Sequence, residues 1–305
     1  VMHTCSFEPY LYIEDNRGDK TSIYGTKVKK KKFNNRFNRS RFLSDSGIKR
    51  VFENAPPQQQ FLLDLYWQEN EKPEFNTHPL RVCLIDIETY SPDSFPDVDN
   101  PNHVVNVITC YDNFTKKFHT FGIKPYTGKG RPDLNYVHCR DERDMFIKFL
   151  EYLESDYPDI LSGWNSEFFD IPYIVGRIEH ILGQEYVNRL SPLGRVYSRL
   201  IRGQFGREQK RFYIEGVACL DYLDVYKRFC LKLRESYKLD AIGEVELGER
   251  KIDYGDSNLA TLSDEDWNKF IDYNIQDVNL LVRLEEKLQY FPLLRKLSYV
   301  GLTTL

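Results

Sequence analysis

Arg81-Val-Cys-Leu-Ile-Asp-Ile-Glu88 is a nearly unbroken apolar run that ends in acids. A strand covered on both faces loses the alternation of a half-exposed one, so this run predicts a central strand of an α/β sheet with polar residues at its carboxyl end. Asp86 and Glu88 are two positions apart, which sends both side chains to the same face. Ligands of open α/β sheets bind at the carboxyl ends of the strands. Adjacent carboxylates repel, and they are tolerated where a cation, a basic partner or a shared proton compensates them. Alone, Asp-x-Glu is a weak signal that reads more readily as a solvent-facing strand end.

Outward from this strand, Val104 to Tyr111 and Lys117 to Phe121 read as two more strands joined at Asp112-Asn113. Asp141 to Leu153 has helical periodicity, Asp159 to Gly163 is a short strand entering a glycine turn, and Ile171 to Leu182 is helical. Residues 196 to 217 alternate as a hairpin around Gly203-Gln204-Phe205-Gly206, and helices follow near 221–230, 237–246 and 264–289. Strands followed by interleaved helices and strands predict an α/β domain, a mixed sheet flanked by helices with an inserted hairpin. Upstream, Pro9 to Ile13 and Thr21 to Lys30 read as extended, Asn54 to Gln60 as a polar proline-containing stretch, and Glu71 to Pro79 as a linker. The expected division is 1–79 as a small mixed α+β N-terminal domain, 80–290 as the α/β domain, and 291–305 as a connecting segment.

The 305 residues, 41% hydrophobic and 14% aromatic, suffice for a packed core and exclude a disordered chain. No apolar run reaches the roughly 18 residues that cross a bilayer, and no secretory signal opens the sequence. The expected setting is cytoplasmic, with no membrane partner. Six scattered cysteines without a CxxC pair fit reduced thiols better than zinc or disulfides. The net charge of −4 hides an uneven distribution: residues 27–41 hold no acid, and a second basic stretch runs from Arg195 to Arg211. Such runs read either as solvated surface or as phosphate-binding faces.

Two further acids stand out. Asp170, in Gly163-Trp-Asn-Ser-Glu-Phe-Phe-Asp170-Ile-Pro-Tyr173, sits where a helix is expected to begin, so a helix cap is its plain reading. Asp277 follows Tyr273 by four positions, one helical turn, within the apolar company of Phe270, Ile271, Ile275 and Val278. An acid among such neighbours needs a partner. In order, Asp-x-Glu, Gly-x-Asn-x-x-x-x-Asp and Tyr-x-x-x-Asp make a far more specific pattern than any of the three alone.

That pattern resembles the DEDDy nucleases. With Asp86-Ile-Glu-Thr and Ser91-Pro-Asp-Ser-Phe-Pro96 as the first motif, it is similar to the exonuclease region of family B DNA polymerases, those of T-even-like bacteriophages in particular. Arg189 to Pro192, Leu220 to Tyr226 and Ser236 to Asp240 add weaker similarity, as do Phe7 to Leu11 and Tyr24-Gly25. The resemblance implies a ribonuclease H-like fold and a proofreading 3′→5′ exonuclease on the single-stranded 3′ end of a primer-template. Asp86, Glu88, Asp170 and Asp277 would hold two divalent ions, Mg²⁺ or Mn²⁺, with Tyr273 orienting water. Phe95 would stack on an unpaired base and Asn165 would lie near the scissile nucleotide. Lys251 loosely matches a lysine beside the cleaved phosphate, and Arg202, Arg207, Lys210 and Arg211 of the hairpin would meet phosphates. RNA at the N-terminal domain and a separate polymerase domain are further implied partners. Palm, fingers and thumb have no counterpart and the N-terminal domain lacks its beginning, so a fragment or split-gene piece is expected, set in the host cytoplasm if phage-encoded. The competing readings are a stand-alone DEDD exonuclease acting on RNA and a non-catalytic nucleic-acid-binding module.

Overall fold

In the computed structural model, which describes residues 6–44, 50–52, 54–66, 79–91, 95–128, 130–202, 208–248, 259–301 and 303–305, Val1–Thr77 with Pro292–Leu305 forms one unit and His78–Phe291 another. The first unit carries strands β1 (Tyr10–Glu14), β2 (Lys20–Thr21), β3 (Lys27–Lys32) and β4 (Val51–Phe52), antiparallel in the order β2-β3-β1-β4. The single extended segment expected over Thr21 to Lys30 is broken by a tight turn, closed by Ser22 N–H on the Thr26 carbonyl at 2.8 Å. Gly25 takes it through φ 80°, where a side chain would be strained. The first six residues of the basic run are therefore strand: Val28 is buried, and Lys30 sets its ammonium 3.5 Å from the centre of the Tyr10 ring.

Helix α1 (Arg36–Leu43) begins where the Asn35 side chain accepts the Asn38 N–H at 2.8 Å. Its Arg39 is buried and donates to Asn54 Oδ1 and the Ala55 carbonyl, so this member of the run is structural. The polar proline-containing stretch at Asn54 to Gln60 runs into helix α2 (Pro57–Tyr66), with proline at the first helical position. Gln60 is fully buried because its amide bonds the Tyr10 carbonyl at 2.8 Å.

The second unit is built on a six-stranded sheet ordered β12-β9-β5-β6-β7-β8, with β5 at Val82–Thr89, β6 at Val105–Asp112, β7 at Lys117–Gly122, β8 at Leu134–His138, β9 at Ile160–Gly163 and β12 at Ala218–Asp221. β5 runs antiparallel to β6 and parallel to β9, making the sheet mixed. The quoted apolar run is thus a central strand. Cys83, Ile85 and Ile87 join the core formed with α3 (Glu142–Ser155) and α4 (Asp170–Leu182). Leu84, Asp86 and Glu88 alternate to the other face. The β5–β6 register shifts at Glu88/Thr89, a bulge that re-aims the strand end.

Between α4 and β12 in the chain lie α5 (Gln184–Asn188) and the two-stranded antiparallel hairpin of β10 (Val196–Arg202) and β11 (Glu208–Ile214). Helices α6 (Tyr222–Phe229), α7 (Leu239–Leu247), α8 (Leu259–Glu265) and α9 (Trp267–Leu288) follow, and the boundary between the units falls inside α10 (Tyr290–Gly301). α9 packs on β5 and β6, and it starts at Asp266, whose carboxylate accepts the Lys269 N–H at 3.0 Å. Its buried stripe includes Phe270, Ile271, Ile275, Val278 and Leu281, together with two polar members, Asn274 and Asp277. The glycine turn expected after β9 has a steric cause. A Cβ on Gly163 would lie 2.5 Å from the Ile85 carbonyl oxygen, so glycine alone lets β9 end this close to β5.

Candidate active site

The end of β5 and the middle of α9 bring three of the four expected acids together. Asp86, Glu88 and Asp277 each offer a carboxylate oxygen, and these atoms all lie within 4.8 Å of one another. Asp277 is 7% exposed, whereas Asp86 and Glu88 are half-buried. Tyr273, one turn before Asp277 on the same helix, is half-buried as well.

Asp170, the fourth acid, is the first residue of α4, and it is not a conventional cap. The α4 cap position, Phe169, makes no side-chain cap bond, and the Asp170 carboxylate reaches across to accept the Ile87 N–H at 3.1 Å. That bond fixes it against β5 between Asp86 and Glu88. Burial pushes its pKa up to about 7, the backbone donors at Ile87 and Asp170 partly opposing this, and nearby Asp221 adds to the rise. Three converging carboxylates and a fourth that burial drives toward its proton are the electrostatics of a site suited to a cation. The oxygen-only donor set matches a hard divalent ion, with no histidine or cysteine in the cluster.

The turn between β9 and α4 is moulded by Asp221, at the start of α6. Its carboxylate accepts the Asn165 N–H at 3.0 Å, the Glu167 N–H at 3.2 Å and the Leu223 N–H at 2.9 Å. Asn165 is exposed and adopts φ 65°, a left-handed conformation that asparagine tolerates better than most side chains. The sequence reading did not assign Asp221 this role; the cue was an Asp directly ahead of an apolar helix. It also overlooked Asn274, whose Nδ2 donates to Asp86 Oδ2 at 2.6 Å.

The remaining expected residues scatter around this centre. Phe95 is 95% exposed on the loop that follows β5. Lys210 is exposed on β11. Arg211 pairs with buried Glu167, so the guanidinium ties the hairpin to the β9–α4 turn. On the same hairpin face Tyr197 stacks on Tyr213, their ring centres 5.2 Å apart, beneath Arg199. Arg207 and Lys251 lie outside the described residues, as do the side chain of Arg202, the hairpin tip at Gly203 to Gly206, and all but the last residue of the linker expected over Glu71 to Pro79. A groove of about 800 Å³ runs between α4, the loop at 98–102 and the hairpin, lined by Phe168, Pro172, Leu200 and Phe212 among others, and holds none of the four acids.

The mixed sheet flanked by helices, with carboxylates gathered at the end of its central strand, defines an α/β domain with an acidic site, and sequence comparison gives its family. The family model for the DNA polymerase family B exonuclease domain matches residues 34–242, and the chain belongs to that family. It is 30% identical over 263 residues to the DNA-directed DNA polymerase of Escherichia phage RB69, covering 78% of this chain and 29% of that protein. Identity to the DNA-directed DNA polymerase of Enterobacteria phage T4 is 31% over 244 residues, 72% of this chain and 27% of that protein. The DNA polymerase delta catalytic subunit of Oryza sativa subsp. japonica is 31% identical over 234 residues, 70% of this chain and 20% of that protein. The chain thus spans less than a third of each of these relatives. Tyr273 and Asp277 lie beyond the residues that the family model matches; the geometry of α9 against β5 is what joins Asp277 to the other acids.

Proposed function

We propose that the chain is the proofreading part of a replicative DNA polymerase, residues 80–290 forming a 3′→5′ exonuclease domain that removes deoxynucleoside monophosphates from single-stranded or frayed 3′ ends. The observation that carries this reading is the convergence of Asp86, Glu88 and Asp277, all within 4.8 Å, at the end of the central strand. Asp86, Glu88, Asp170 and Asp277 would hold two Mg²⁺ or Mn²⁺ ions. When bound, such ions lower the pKa of water and stabilise the charge of both the attacking and leaving oxygens of the phosphodiester. The acids' part is to keep four negative groups at one strand end, and Tyr273 is assigned to orient the attacking water. Phe95, almost wholly exposed, offers a ring on which any unpaired base can stack, a grip indifferent to sequence. Asn165, Lys251 and the hairpin residues Arg202, Arg207, Lys210 and Arg211 are assigned to the DNA backbone and scissile nucleotide. A polymerase domain would supply the 3′ ends to be edited. The lysine-rich β3, which carries Val28 inward and its lysines outward, suits RNA phosphates as a further partner of the first unit. The expected setting is the host cytoplasm.

The test is incubation of 5′-labelled single-stranded DNA and RNA oligonucleotides with Mg²⁺. A DNA ladder shortening from the 3′ end, mononucleotide products and loss of cleavage in EDTA are expected. Faster RNA cleavage would favour the RNA exonuclease reading, and binding that survives EDTA without any cleavage would favour a binding module.

A further inference from the structure

Asn274 is fully buried in the apolar stripe of α9, three residues before Asp277 and next to Tyr273. Its neighbours along the helix, Phe270, Ile271, Ile275 and Val278, are all buried and apolar. An amide there is costly. Its carbonyl oxygen meets no hydrogen-bond donor among the described residues, and a buried polar atom left unsatisfied is destabilising. The amide's Nδ2 instead makes a 2.6 Å bond to Asp86 Oδ2, linking α9 to the acid at the heart of the cluster.

We infer that Asn274 is a positioning residue for the metal site: it fixes the orientation of the Asp86 carboxylate while leaving its negative charge intact. The inference rests on the metal-site reading above. A lysine or arginine could hold Asp86 just as firmly, but its charge would compete with the cation the acids are to attract. A neutral donor orients without neutralising. Because Asn274 and Asp277 are one helical turn apart on the same face, one helix sets both its own acid and the rotamer of the acid on β5. Partners of ligating carboxylates typically change metal affinity by roughly 10–100-fold when removed.

The experiment is a calorimetric titration of the full chain with Mn²⁺, comparing the wild type with Asn274→Leu and Asn274→Ala, alongside thermal melts in metal-free buffer. Leucine is apolar like its neighbours and close to asparagine in length; alanine carries the test if leucine does not fit. The expected result is Mn²⁺ affinity weakened roughly 10–100-fold in a variant that melts within a few degrees of the wild type. A merely structural asparagine would move the melt and not the affinity. Affinity within about twofold of the wild type, in a variant that melts normally, would overturn the inference. Absence of saturable Mn²⁺ binding by the wild type would instead overturn the metal-site reading itself.

Discussion

Glu285 accepts hydrogen bonds from the Tyr290 and Phe291 N–H groups and from the Tyr222 hydroxyl, yet burial outweighs all three and pushes its pKa up to about 7. A carboxyl whose folded pKa lies above its unfolded value binds its proton more tightly when folded. Its stabilising contribution is complete below the ordinary carboxylate range and is lost as pH rises through about 7. Glu285→Gln should therefore flatten the fall in stability between pH 5 and pH 8, read by urea denaturation at several pH values; an unchanged slope would assign that fall to other groups. Asp170 feels the same desolvation beside the other acids, where a bound cation would pull it back toward ionisation. At this scale Asp86 and Glu88 stood out only because an apolar run precedes them and two further motifs follow; the pair alone reads as a solvent-facing strand end. Asp170 was legible only through its motif, since a helix-start acid resembles a cap, and its true partner, the Ile87 N–H, is remote in sequence. Asn274 left no signal: nothing local says that an asparagine in an apolar stripe faces a carboxylate on another element.

Hairpin and site turn are joined by the Arg211–Glu167 ion pair, in which the Glu167 side chain is 5% exposed and the arginine 35%. Burial raises the Glu167 pKa, and Arg211 partly opposes the rise. Arg211→Met should leave that acid buried without its cation and cost roughly 1–3 kcal/mol. The double variant Arg211→Met/Glu167→Gln should recover part of the loss, because the uncompensated charge has gone. Denaturant melts of the two singles and the double check this; strict additivity would mean that the pair does not couple the two elements. Elements with a strong local pattern, the unbroken apolar run of β5 and the helical periodicity of α3 and α9, were readable from sequence alone. β8 was missed because its half-exposed pattern alternates weakly and it is held by pairing to β7. β12 was missed because four residues at a sheet edge are too few to show a period. α1 was missed because its sequence is dominated by arginines and its start depends on the Asn35 cap.

Across the molecule, charge is distributed less evenly than the net −4 suggests: one unit presents a lysine-rich strand, while the other brings Asp86, Glu88 and Asp277 together at one strand end. A cation at that end would reverse the local field and let a phosphodiester approach. Among the described residues no helix is long and apolar enough to cross a membrane. The α/β class, the hairpin and the order of the motifs were legible because each depends on local pattern. The closure of the site was legible only through the resemblance, because it requires α9 to cross β5 from nearly two hundred residues away in sequence. The measurement that tests the central claim most directly is cleavage of 5′-labelled single-stranded DNA in Mg²⁺ by the wild type and by Asp86→Ala, Glu88→Ala, Asp170→Ala and Asp277→Ala, each with its thermal melt. The prediction is a ladder shortening from the 3′ end with the wild type, and a loss in every folded variant greater than the roughly 10–100-fold expected of an outer partner. Cleavage persisting at the wild-type rate in a folded Asp86, Glu88 or Asp277 variant would contradict it.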